Sequence, residues 1–117
     1  MLALLLIAAS AIHAAELASV DFSRDIEPLL AARCVACHRP QKAAGGLDLT
    51  TQATALGEGD SGSRGIVPGK SDESEVVRRL VTTDHDDLMP RSGPLAPEEI
   101  ARIKRWIDAG AQWPSRS

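Results

Sequence analysis

The residues with most chemistry to offer are Cys34-Val35-Ala36-Cys37-His38. Two thiols separated by two residues stand about one backbone turn apart, and the next residue presents an imidazole. That spacing suits covalent haem attachment: the thiols of Cys34 and Cys37 reach the two vinyl groups on one porphyrin edge, and His38 meets the iron as proximal ligand. Three readings compete with it. A redox dithiol belongs on a βαβ pattern, which does not surround this stretch. A zinc site wants four donors, and no second C-x-x-C or H-x-x-x-H follows. A chance pair of buried cysteines is the third; Cys34 and Cys37 are the chain's only two, so neither has a further cysteine to bridge to. The expectation is one covalently bound haem c.

A six-coordinate iron needs a ligand opposite His38. Met89 is the only methionine besides the initiator, and Pro90 stiffens the peptide beside it. A thioether there raises the reduction potential relative to a second imidazole. A methionine packed in the core or lying on the surface is the bland alternative. His85 is the rival ligand, but it sits in the Asp-rich stretch Thr83-Asp84-His85-Asp86-Asp87, where an exposed histidine is the commoner case. The Asp84, Asp86 and Asp87 carboxylates read as a solvated turn rather than a catalytic site. Arg39, Arg64, Lys70 and Arg91 are candidate partners for haem propionates.

The surrounding composition bounds what these residues serve. Of 117 residues, only three are aromatic, with no Tyr, and the formal net charge is −3. One small domain follows, with a limited core that a central haem would complete. No basic stripe is present, so nucleic acid is not an expected partner. Residues 1–14 form an apolar run ending in small residues, the pattern of a secretory signal peptide, although no Lys or Arg precedes it. The run is shorter than the roughly 20 apolar residues that span a bilayer. An uncleaved anchor is the competing reading and the one route to a membrane association. The expected location is therefore exported, periplasmic or cell-envelope, where cysteines can be prepared for haem. His13 falls in this segment and is excluded as a ligand.

The elements that must position the site follow in order, over a domain expected at 20–113. Ser23 is a candidate N-cap and Pro28 suits an early helical turn. Ile26, Leu29, Leu30 and Cys34 share one face, so Cys34 comes from a helix end. Between Arg39 and Gly69 the pattern is loop-dominated, with one possible helical turn at Thr51–Leu56 and a Gly/Ser-rich stretch at Gly57–Gly65. Such irregular chain either wraps a cofactor or is a mobile insertion. A helix over Asp72–Thr82 buries Val76, Val77, Leu80 and Val81, with acids in its first turn and Arg78-Arg79 later. A last helix runs from Pro97 to Ala109, stopped by Gly110, with Ile100, Ile103, Trp106 and Ile107 as its core face.

With these landmarks placed, the chain resembles the planctomycete-type cytochrome c domain, a branch of the class I cytochrome c fold. The resemblance rests on Val20–Leu30, Cys34–His38, Gly46–Leu49, Ile66–Lys70, Glu73–Glu75, Met89-Pro90 and Leu95 through Ala111. It implies an all-α fold, a small class I cytochrome c-like arrangement of helices around one haem. In it His38 is proximal, Met89 distal, and the first and last helices cross beside the cofactor. Three positions depart from the pattern: Asp48 where Arg is frequent, Arg91 where a second proline is frequent, and Ser71 where a helix-starting proline is common. The functional expectation is a single-electron carrier with an unidentified redox partner, and not an enzyme on its own. A haem-based module binding or sensing a small ligand is the alternative, as is the haem domain of a larger exported protein.

Overall fold

The computed structural model describes residues 20–114. The expected signal segment at residues 1–14 lies outside them. A π-helical turn over Phe22–Ile26 runs directly into helix α1, Glu27–Arg33. The cap is Asp21 rather than the expected Ser23. Asp21 accepts the Ser23 N–H at 3.0 Å, and the Asp25 carboxylate reaches back to accept the Asp21 N–H at 3.0 Å. This reciprocal arrangement satisfies two of the donors that a helix start leaves open. Phe22, Ile26, Leu29 and Leu30 are buried, and the Cys34 N–H continues the helical ladder to the Leu30 carbonyl at 2.9 Å. Cys34 is thus delivered from the end of a helix.

The chain then leaves helical geometry. His38–Arg39 (β1) and Lys42–Ala43 (β2) pair as a short antiparallel ribbon, His38 opposite Ala43 and Arg39 opposite Lys42. A 3-10 turn at Ala44–Gly46, one turn of helix at Gln52–Ala55 (α2), and an isolated bridge between Glu58 and Arg64 follow. Ser71–Glu73 makes a second 3-10 turn before α3, Glu75–Val81, and the last helix is α4, Pro97–Asp108.

The expectation of an all-α, class I cytochrome c-like fold is therefore corrected. Among the described residues the structure is 43% helical, with four helices and a two-stranded antiparallel sheet, and is mixed rather than plainly all-α. The physical reason lies in residues 38–43. Pro40 interrupts any continuing helix, and the backbone groups on either side of the turn at Pro40-Gln41 satisfy one another across the ribbon.

The Asp72–Thr82 helix is also shorter than expected. Its first residues form the 3-10 turn, and α3 starts only after Ser74, whose buried hydroxyl accepts the Val67 N–H and donates to the Lys70 carbonyl, both at 2.9 Å. Val77 and Leu80 are buried as expected, whereas Val81 is 52% exposed.

The core joins the two ends of the described chain. Phe22 lies 5.7 Å from Trp106 and 4.7 Å from Trp113 between ring centroids, and the two indoles are 5.8 Å apart. These three are all the aromatic side chains the protein has. Trp106 is buried, and its indole N–H donates to the Gln112 carbonyl at 2.8 Å, so its one polar atom is satisfied. The π-helical turn and α4 meet through this cluster, with Ile26, Ile103 and Ile107 around it.

Candidate functional site

The C-x-x-C-H segment closes into one tight turn. The Cys34 carbonyl accepts both the Cys37 N–H at 3.2 Å and the His38 N–H at 3.0 Å. The two thiols and the imidazole consequently come from a single compact stretch of backbone, as their spacing predicts. Neither cysteine is bonded to the other. Cys34 is half-buried and Cys37 exposed. Burial pushes the Cys34 thiol up to about 11, with the Arg33 charge acting weakly the other way. A redox-active dithiol needs the opposite, a thiolate favoured by its surroundings, so the environment of Cys34 speaks against that reading.

His38 is held twice by the strand of chain at Leu47–Leu49. Its carbonyl accepts the Leu49 N–H at 2.9 Å, and its Nδ1 lies 2.9 Å from the Leu47 carbonyl oxygen. A carbonyl oxygen only accepts, so Nδ1 carries the proton and donates. The proton-free nitrogen is then Nε2, the arrangement that leaves a histidine ready to bind a metal.

These residues border a cavity of about 630 Å³, within the range of small-molecule and cofactor sites. Cys34, Cys37, His38 and Met89 all line it, and Leu47, Leu49, Val76 and Leu80 supply apolar wall. His85 does not line it; it is exposed in the turn before Met89. The donor set of two thiols, one imidazole with a free Nε2, and one thioether, together with apolar wall, fits a covalently held haem. A second cavity of about 500 Å³, lined by Phe22, Leu30, Val35 and Trp113, contains none of these donors.

Of the cationic side chains proposed for propionates, Arg91 lines the larger cavity, while Arg39, Arg64 and Lys70 do not. Arg64 donates to the Leu56 carbonyl at 3.1 Å, and Lys70 forms an exposed pair with Glu73. Arg33 and Arg79 line the cavity as well and escaped the sequence reading. Arg79 reads in the sequence as a complement to the helix dipole, and no local pattern singles out Arg33.

The Gly/Ser-rich stretch also contributes to the wall. Gly59, Asp60, Ser61, Ser63 and Gly65 border the cavity. The Asp60 N–H donates to the Gly45 carbonyl at 2.7 Å, and Gly65 N–H to the Gly57 carbonyl at 3.0 Å. A Cβ on Gly65 would come within 2.7 Å of both the Ala55 carbonyl and a Leu47 methyl, and one on Gly59 within 2.8 Å of the Gly45 carbonyl. Glycine is required there because the loop packs directly on the segment that orients His38. The stretch thus packs on the fold and forms part of the cavity wall.

Met89 sits on a loop between α3 and α4. Its N–H donates to the Arg79 carbonyl at 2.9 Å, and its peptide bond to Pro90 is cis. Of the three aspartates before it, Asp84 accepts the Asp86 N–H at 2.9 Å in a solvated turn, as expected of an exposed acidic cluster. Asp87 differs: it is half-buried and pairs with both Arg78 and Arg79 at 3.3 Å.

Hydrazine synthase subunit alpha of Kuenenia stuttgartiensis is 28% identical over 125 aligned residues, covering 81% of this chain and 16% of that protein. The chain thus spans about one sixth of the length of that relative. No solved structure matches. The profile of the family described as planctomycete cytochrome C matches residues 34–93, from the first thiol through the Met89 loop to the glycine whose carbonyl Arg33 holds. A cytochrome c domain implies haem, so this is a haem-binding, cytochrome-like domain. The chain belongs to the planctomycete cytochrome C family.

Proposed function

We propose that the protein carries single electrons through one haem c, attached by Cys34 and Cys37 and ligated by His38 and Met89. The observation that carries this reading is the gathering of both thiols, the Nδ1-protonated imidazole and the one available thioether around a single cavity. Bound there, haem iron would supply a one-electron ferric/ferrous couple. The residues contribute positions. The Leu47 carbonyl fixes the orientation of the His38 ring. The Leu47, Leu49, Val76 and Leu80 side chains keep water from the interior, and the exposed Cys37 marks the edge nearest to solvent. In this reading no side chain acts as acid, base or nucleophile, and the protein is not an enzyme by itself. Its redox partner would meet it in the periplasm or cell envelope.

The test is carbon monoxide binding to the reduced holoprotein. A carrier with both axial positions filled shows almost no spectral response. A prompt, saturable response would instead favour small-ligand binding or sensing.

A second reading has one supporting observation. The similarity to a hydrazine synthase subunit covers most of this chain and only 16% of that protein. It supports a relay domain within a larger exported enzyme. Immunoblotting of cell extracts with antibody to the domain separates the two: a band near 12 kDa supports the free carrier, and a much larger band the relay domain.

A further inference from the structure

The loop bearing Met89 is gripped by charges that electron carriage does not itself require. Arg79, on α3, holds the loop at two points. Its carbonyl accepts the Met89 N–H at 2.9 Å, and its guanidinium pairs with Asp87, two residues earlier, at 3.3 Å. Arg78 pairs with the other oxygen of the same carboxylate at 3.3 Å. Both guanidinium groups also pair with Glu75, whose carboxylate lies 2.8 Å from Arg78 and 2.9 Å from Arg79. Four charged groups therefore form one network joining α3 to the turn that ends in Met89. Networks of this kind hold geometry better than isolated surface pairs, because each guanidinium is fixed by more than one partner. Asp87 is also the one aspartate of its cluster taken out of the solvated turn.

We propose that Asp87 is a positioning residue for the distal ligand, acting through Arg78 and Arg79 to hold the Met89 thioether in the cavity. The inference rests on the proposed ligation of haem by Met89. The isosteric change Asp87→Asn keeps size and loop shape but removes the charge that the two arginines hold. The loop then spends more time away from the cavity, and an external ligand competes with Met89 more successfully.

The experiment is titration of the ferric holoprotein with imidazole, followed by loss of the methionine-to-iron band. Asp87→Asn is expected to bind imidazole about fivefold more tightly than wild type, the scale of a partly exposed ion pair. Arg78→Gln is expected to shift it in the same direction. Asp87→Glu, which keeps the charge, restores most of the wild-type affinity. Glu73→Gln, which breaks the exposed pair with Lys70 away from the cavity, leaves it unchanged. Wild-type affinity in both Asp87→Asn and Arg78→Gln overturns the proposal, as does a shift in Glu73→Gln of equal size. A wild-type protein that shows no methionine band at all overturns the ligation reading instead, so the two failures are distinct.

Discussion

At His38 one contact decides the chemistry available. Because the Leu47 carbonyl can only accept, the imidazole keeps its proton on Nδ1 and offers Nε2. The thiols divide by environment in a similar way, Cys34 half-buried with its proton strongly held and Cys37 open to solvent. Replacing both, Cys34→Ser with Cys37→Ser, is expected to abolish covalent haem, read as loss of haem from the denatured polypeptide; haem that stays on the chain would refute the attachment assignment. Met89→Ala is expected to leave haem attached with an open or water-filled distal position and a lower reduction potential. An unchanged potential and ligand spectrum would contradict that. The proposed donors were legible in the sequence because their types and spacing are chemical requirements. Arg33, Arg79 and Asp87 were not, since their roles depend on contacts made across the fold. Arg33 reaches the Gly93 carbonyl at 2.8 Å, sixty positions away.

Between elements, short polar links fix the relative placement of helices. Ser71 donates from both its N–H and its hydroxyl to the two oxygens of Asp108, at 2.9 and 3.0 Å. Asp108 ends α4, where the helix dipole disfavours a negative charge, so Ser71 answers an otherwise unfavourable placement. Ser71→Ala is expected to cost about 1 kcal/mol, measured by urea denaturation, and Ser71→Pro more, since proline removes the N–H as well. At the other end, hydrogen bonds from Arg24 and then from the Asp21 N–H lower the Asp25 carboxyl from its ordinary 3.8 to about 2. A depressed carboxyl stabilises the folded state above its unfolded value and loses that contribution as pH falls through the folded one. Asp25→Asn is therefore expected to flatten the acid limb of stability between about pH 4 and 2. An acid limb identical to wild type would show that the cap contributes nothing. Helical periodicity revealed α1, α3 and α4, since each buries one face. It could not reveal the β1–β2 ribbon, which is two residues a side and carries no alternation long enough to read.

Over the described residues, the aromatic core and the candidate haem site are separate. All three aromatic rings pack between the π-helical turn, α4 and the segment at Trp113, while none lines the larger cavity. The scaffold's stability thus depends heavily on Trp106, and Trp106→Ala is expected to cost about 3–5 kcal/mol, read from the urea midpoint of the holoprotein. Survival of the wild-type midpoint would mean that the cluster is not the keystone of the fold. The same separation explains why composition alone suggested a core completed by cofactor. The chain has only three aromatic side chains, and all of them lie in the first region. The Gly-rich loop closes the second through backbone hydrogen bonds, a long-range arrangement that its composition left undecided between wrapping and mobility.

Covalent haem ligated by His38 and Met89 is best tested by near-infrared and visible spectra of the oxidised protein, purified from a host able to mature c-type cytochromes, followed by denaturing extraction. The expected result is haem that remains on the polypeptide after extraction and, before it, a methionine-to-ferric-iron charge-transfer band. Haem retained without that band would contradict Met89 as the distal ligand, and haem released on denaturation would contradict the attachment through Cys34 and Cys37.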